Sequence, residues 1–154
     1  MDSTNPVDLA GEQRARRERL RDALVAFEDA LSSAGPRRAA AWAEGVVQCI
    51  LRVEAEFHSH VDFTEQEDGL YDDILEAAPR MAHRVDQLRQ EHNEIAIALS
   101  DCLTRVELVP NTAHADWVTA RRDDCNALLG RLVRHRQRGA DLVYEAYSEV
   151  GEGD

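Results

Sequence analysis

Apolar positions along this chain recur three and four residues apart over four long stretches, the spacing of amphipathic helices. At about 100° per residue, Leu20, Leu24, Phe27 and Leu31 share one face of the first stretch. Trp42, Val46, Ile50, Val53 and Phe57 share one face of the second, and that face continues through His60, Thr64 and Glu67. In the third, Met81, Val85, Leu88, Ile95, Leu99 and Val106 line up with His92 in their midst. In the fourth, Leu128, Leu132, Leu142 and Ala146 line up, with His135 and Gly139 between them.

Turn-forming residues separate the stretches. Gly35-Pro36 is the first break, with Pro36 suited to open a helix. Asp68-Gly69 is the second, followed by a short LYDDILEA piece and Pro79, and VPNT at 109–112 is the third. These breaks predict long helices over about 9–34, 37–67, 79–107 and 113–149, with a short helix between the second and third. Long helices joined by short turns fold back on one another. The expected architecture is an all-α antiparallel four-helix bundle, one domain over 1–154, with 1–8 and 150–154 as flexible ends.

Composition sharpens this without changing it. The 154 residues suffice for one buried core, and 44% hydrophobic with only 5% aromatic content suits Ala- and Leu-rich helices rather than a β-sandwich. Thirty acidic against 18 basic residues give a net charge of −12, and every basic residue is Arg. That balance argues against the clustered positive face a nucleic-acid duplex requires, and the run from Arg14 to Arg21 is broken by Glu18. No stretch approaches the roughly 20 apolar residues of a membrane span. The polar, acidic start MDSTNPVDLAGEQ is no secretory signal, so a cytoplasmic protein is expected. Cys49, Cys102 and Cys125 are odd in number and lack C-x-x-C spacing. They read as small buried apolar residues in a reducing compartment.

The histidines carry the chemistry. His60, His92 and His135 fall on buried faces, one per helix, whereas His58 and His83 point away and His114 lies at a helix start. A buried imidazole must satisfy both nitrogens or lose about 1–3 kcal/mol for each one left over. A lone inward histidine is usually a hydrogen-bonded core residue. Three on converging helices, with a carboxylate beside them, make a nitrogen/oxygen metal site in a bundle interior. Glu67 shares the His60 face; Glu65 is displaced by about 140° and would turn inward only where the helix end loosens. His58 and Asp62 have ligand spacing but on the solvent face.

At FHSHVDFTEQEDGLYDDI, LRQEHNEI and HRQRGADLVYEAY the chain resembles the hemerythrin-like (HHE cation-binding) domain family, from about Arg17 to Val150. The resemblance implies a four-helix bundle with a non-heme di-iron centre that carries or senses oxygen, or handles peroxide, nitric oxide or iron. It assigns metal ligation to His60, His92 and His135, and to Glu65 or Glu67 as the acidic partner. The departures are specific. Arg17 stands where the family has a first-helix histidine, and a guanidinium has no lone pair to donate. Ala96 replaces a second third-helix histidine, and Gly139 and Ala140 stand where the fourth helix offers a carboxylate.

The chain therefore resembles a divergent member with an incomplete ligand set. It implies one or two non-heme iron ions, an open position for a diatomic or peroxide ligand, and a pocket widened by Gly139. The alternative is a metal-free scaffold in which Arg17 replaces the cation and pairs with Glu65 or Glu67. YEAY at 144–147 would then serve a partner or a homodimer, although ordinary packing near a bundle end is the simpler account of Tyr144 and Tyr147. A third reading is an enzyme resembling the DinB three-histidine bundles.

Overall fold

The computed structural model describes residues 6–33 and 38–148, with side chains from Gly11 onward. The chain forms α1 (Pro6–Ser32), α2 (Ala39–Glu65), the short α3 (Leu70–Ala77), α4 (Ala82–Glu107) and α5 (Ala115–Ser148), with a 3-10 turn over Pro79–Met81 before α4. No strand occurs among the described residues. None of their helices is long and apolar enough to cross a membrane. The Gly35-Pro36 break and residues 1–5 and 149–154 lie outside the described residues; α1 already begins at Pro6.

The four long helices form an all-α antiparallel bundle. α2 packs chiefly on α1 and α4, α4 on α5, and α1 meets α5 along the slimmest seam. The predicted stripes are the core: Leu20, Leu24, Phe27 and Leu31 of α1 and Trp42, Val46, Ile50, Val53 and Phe57 of α2 are buried, as are their counterparts on α4 and α5. Burial of such stripes supplies about 25 cal/mol per Å² and holds helices that would be marginal alone. At one end Arg122 of α5 donates its Nε–H to the Leu31 carbonyl at 2.7 Å, closing off α1. Its guanidinium covers Trp42, whose ring meets Trp117 edge-on at 6.3 Å.

α4 and α5 run in strict antiparallel step. The rings of His92 and His135 meet at 4.8 Å, and ten residues further along in each direction the thiols of Cys102 and Cys125 meet. Between these two contacts Ile95 and Leu99 of α4 share one buried cluster with Leu128 and Leu132 of α5. The apolar core divides into two clusters, a larger one reaching Phe57, Ile95 and Leu132, and a smaller one built from Phe63, Tyr71, Ile74, Leu88 and Leu142. The inward histidines form the polar layer between them.

The α2–α3 turn decides what enters that layer from the side. Asp68 adopts φ 57°, a left-handed conformation that aspartate tolerates better than most residues, and its N–H bonds to Asp72 Oδ2 at 2.9 Å. Gly69 is required for space rather than for φ. A Cβ there would lie 2.8 Å from the carbonyl oxygens of both Phe63 and Gln66. With the turn so fixed, α3 lies across the bundle end and buries Leu70, Tyr71 and Ile74.

Candidate metal centre

His60, His92 and His135 converge, each offering one nitrogen within 4.8 Å of the others. Their ring centroids lie 5.1 Å apart for His60–His92, 5.5 Å for His60–His135 and 4.8 Å for His92–His135. Phe57 forms the apolar floor beneath all three, at 6.2, 5.8 and 6.1 Å from their respective rings. His92 and His135 are buried and His60 is half-buried, while His58, His83 and His114 are exposed.

Burial sets the protonation. Desolvation, then the neighbouring His135 and Arg16, push the His60 imidazole down to about 3. Desolvation with His60, His135 and Arg89 pushes His92 down to about 2. His135 is also lowered by burial, although its bond to Glu91 opposes that. All three rings are neutral at pH 7, the form in which imidazole donates a lone pair to a metal.

The hydrogen bonds decide which lone pairs are free. His135 Nδ1 lies 3.2 Å from Glu91 Oε1, which makes it the N–H donor and turns its Nε2 lone pair toward His60 Nε2 at 3.4 Å. Glu91 is clamped from outside by Arg138, whose Nε lies 3.0 Å from both carboxylate oxygens. Desolvation works to raise the Glu91 carboxyl, but the Arg138 and His135 bonds outweigh it and hold it below its usual range. On the other side Tyr71 stacks on His92 at 5.9 Å, nearly parallel, with its hydroxyl 3.4 Å from His92 Nε2. His92 Nδ1 lies 3.4 Å from Glu65 Oε1, but the direction is wrong for a hydrogen bond and this buried nitrogen has no partner.

This donor set fits a metal ion. Two nitrogens on one ion at about 2.1 Å each cannot be more than about 4.2 Å apart. The 3.4 Å between His60 and His135 meets that limit, and small ring rotations bring a trio within 4.8 Å inside it. His92 Nδ1, buried, without a hydrogen-bond partner and 3.4 Å from Glu65 Oε1, is free to serve as a ligand atom.

The acidic candidates divide. Glu65, half-buried at the end of α2, faces His92; Glu67 is exposed, beyond the helix terminus in the turn, because α2 ends at Glu65 and its face does not continue. Arg17 does not pair with either. Its Nε is buried without a partner, and its charge bears on Arg136 of α5. The α1 residue at the site is its neighbour Arg16, which bonds the Ser59 carbonyl at 3.2 Å and the Ser59 hydroxyl, covers the Phe63 ring at 5.0 Å and meets Glu12. Gly139 lies one turn beyond His135, and a Cβ there would have no atom within 4 Å. Tyr144 is not packed against the bundle end but 74% exposed, whereas Tyr147, also exposed, bonds Asp73.

Three residues at the site had no place in the sequence argument: Tyr71, Arg138 and Arg16. Glu91 entered only as the residue before His92. Its separation from the fourth-helix HxxR pair, His135 and Arg138, was the available signal, but it becomes legible only once the α4–α5 register is known. Compared with family models, with curated proteins and with solved structures, the chain gives no match.

Proposed function

We propose that this protein is a hemerythrin-like metal-binding bundle in which His60, His92 and His135 hold non-heme iron, with Glu65 as the oxygen ligand. The observation that carries the reading is the orphaned, buried His92 Nδ1, 3.4 Å from a carboxylate, on a ring that meets two other neutral imidazoles. Three nitrogens and one carboxylate suit one ion with room for a further ligand, fewer donors than two irons take. Iron held this way supplies binding or redox chemistry toward oxygen, peroxide or nitric oxide. The chain's own residues do the rest. Glu91 and Arg138 hold His135 with its Nε2 lone pair inward, Phe57 keeps the floor dry, and Tyr71 places a hydroxyl beside His92.

Metal content after anaerobic ferrous loading and desalting tests this directly. About one iron per chain is expected in the wild type and none in His92→Ala, with helical content unchanged by circular dichroism. Equal iron in both proteins overturns the site. A metal-free scaffold has its own supporting observation, since His135 is already bonded on both nitrogens. It predicts no stoichiometric metal in either protein.

A further inference from the structure

Away from the histidines, the α4–α5 seam holds a second pair of reactive groups. Cys102 Sγ and Cys125 Sγ lie 3.1 Å apart, both as free thiols. A disulfide needs about 2.05 Å, so closing the bond takes a sulfur movement of about 1 Å. The pair lies ten residues from His92 on α4 and ten from His135 on α5, about 15 Å along the helices. It shares no residue with the proposed metal centre.

The two thiols are not equivalent. Cys125 is wholly buried, whereas Cys102 retains slight exposure and lines a surface groove of about 270 Å³. Arg105, Asp124 and Arg131 also line that groove. The groove is large enough to admit a small polar molecule such as hydrogen peroxide beside Cys102. The sulfur–sulfur hydrogen bond holds the Cys102 thiol below its ordinary value and, with desolvation, raises Cys125. Asp124, beside both, pairs with Arg121 at 3.0 Å and Arg105 at 3.6 Å, and these arginines oppose its effect on the Cys102 thiol. Cys49, on α2, has a thiol raised by burial and directed to the Ala26 carbonyl, with no second sulfur beside it.

We infer that Cys102 and Cys125 form a peroxide-oxidisable dithiol that closes to an intramolecular disulfide between α4 and α5. Cys102 sulfur attacks one peroxide oxygen: an S–O bond forms, the O–O bond breaks, and one water leaves with the thiol proton. Cys125 sulfur then attacks the Cys102 sulfenic acid: the S–S bond forms, the S–O bond breaks, and a second water leaves with the Cys125 proton. Two thiols and one hydrogen peroxide become one disulfide and two waters. The sulfur is oxidised by two electrons and the peroxide is reduced by two. Cys102 is the attacking residue and Cys125 the resolving one.

The test uses the full chain, folded and treated with excess chelator so that bound metal plays no part. It is exposed to a slight molar excess of hydrogen peroxide, quenched in acid, unfolded, alkylated and digested. The expected result is loss of two of the three alkylatable thiols, recovery of a Cys102–Cys125 linked peptide reversed by dithiothreitol, and intact Cys49. In Cys125→Ser the disulfide is absent and Cys102 is instead trapped as sulfenic acid by a 1,3-diketone. In Cys102→Ser no thiol is lost. Oxidation confined to Cys49, disulfides between chains, or recovery of Cys102 and Cys125 as free thiols would each overturn the assignment. The wild-type digest decides it even where a variant folds poorly.

Discussion

His135 Nδ1 stands 3.2 Å from Glu91 Oε1, and the other face of that carboxylate is clamped by Arg138. The relationship fixes the tautomer of one candidate ligand from outside the site. An imidazole that gives its Nδ1–H to a carboxylate presents a more basic Nε2 lone pair in a set direction. Glu91→Gln preserves shape but weakens the acceptor, and Arg138→Ala leaves the carboxylate without its clamp. Each is expected to lower iron affinity about 10- to 100-fold with the helical content unaltered, measured by competition against a chromophoric chelator. Wild-type affinity in both variants would remove the Arg138–Glu91–His135 chain from the proposed metal site.

The metal-free protein is expected to lose stability on mild acidification. His60 and His92 are depressed in the folded state to about 3 and about 2, against an ordinary histidine value of about 6.5 once unfolded. The unfolded chain therefore binds protons that the folded one refuses. Stability is complete above about pH 6.5 and declines as pH falls toward those folded values. Each residue contributes a slope of up to about 1.4 kcal/mol per pH unit, so pH 5 costs up to about 4 kcal/mol relative to pH 7 for the two together. Carboxylates, which would relieve the net charge of −12, take up protons mostly below this window. Urea unfolding between pH 5 and 8 reads the slope; a flat profile would mean that the imidazoles charge freely in the fold.

Replacing His92 by Phe separates stability from ligation. It removes a buried nitrogen without a partner, at the loss of the long 3.4 Å contact between Nε2 and the Tyr71 hydroxyl, and keeps a ring between Phe57 and Tyr71. Relieving one buried unsatisfied group is worth about 1–3 kcal/mol, part of which the larger ring consumes in repacking. His92→Phe is expected to unfold at higher urea concentration than the metal-free wild type while binding no iron. A variant less stable than that reference would indicate that His92 is satisfied in the fold and not held ready for an ion.

Two adjacent arginines of α1 should respond unequally. Arg16 ties α1 to α2 through Ser59 and covers Phe63, so Arg16→Ala is expected to destabilise by about 1–2 kcal/mol. Arg17 faces Arg136 and has a buried Nε without a partner. Arg17→Ala removes like-charge repulsion, and its cost is expected within about 0.5 kcal/mol of zero, of either sign. Equilibrium denaturation of the pair checks the contrast, and the reverse order would return Arg17 to the site.

The bundle, its four long helices and its three inward histidines are legible because one periodicity governs them all. Apolar residues at helical spacing fix the phase of α2, α4 and α5, and a histidine on the same phase must point inward. The phase of α1 near Arg16 and Arg17 was not fixed that way. Its amino-terminal turns hold charged residues with no apolar stripe, and neighbours in sequence differ by about 100° in direction. Glu67 lies off that face for the opposite reason: the periodicity holds only as far as Glu65, where the helix stops. Tyr71 depends on the path through Asp68 and Gly69, and no pattern within an eight-residue helix states which neighbour it will meet. The thiol contact was hidden likewise, since Cys102 and Cys125 become neighbours only through the pairing of two helices.

The even stepping of α4 against α5 makes the two helices a shared ruler. A residue inserted or deleted between His92 and Cys102 would turn everything beyond it by about 100° and throw the thiols out of phase with the histidines. A matching change between Cys125 and His135 would be needed to restore alignment. A single-residue length change within this stretch therefore cannot keep both the histidine layer and the thiol contact, whereas exchanging side chains in place alters one and leaves the other.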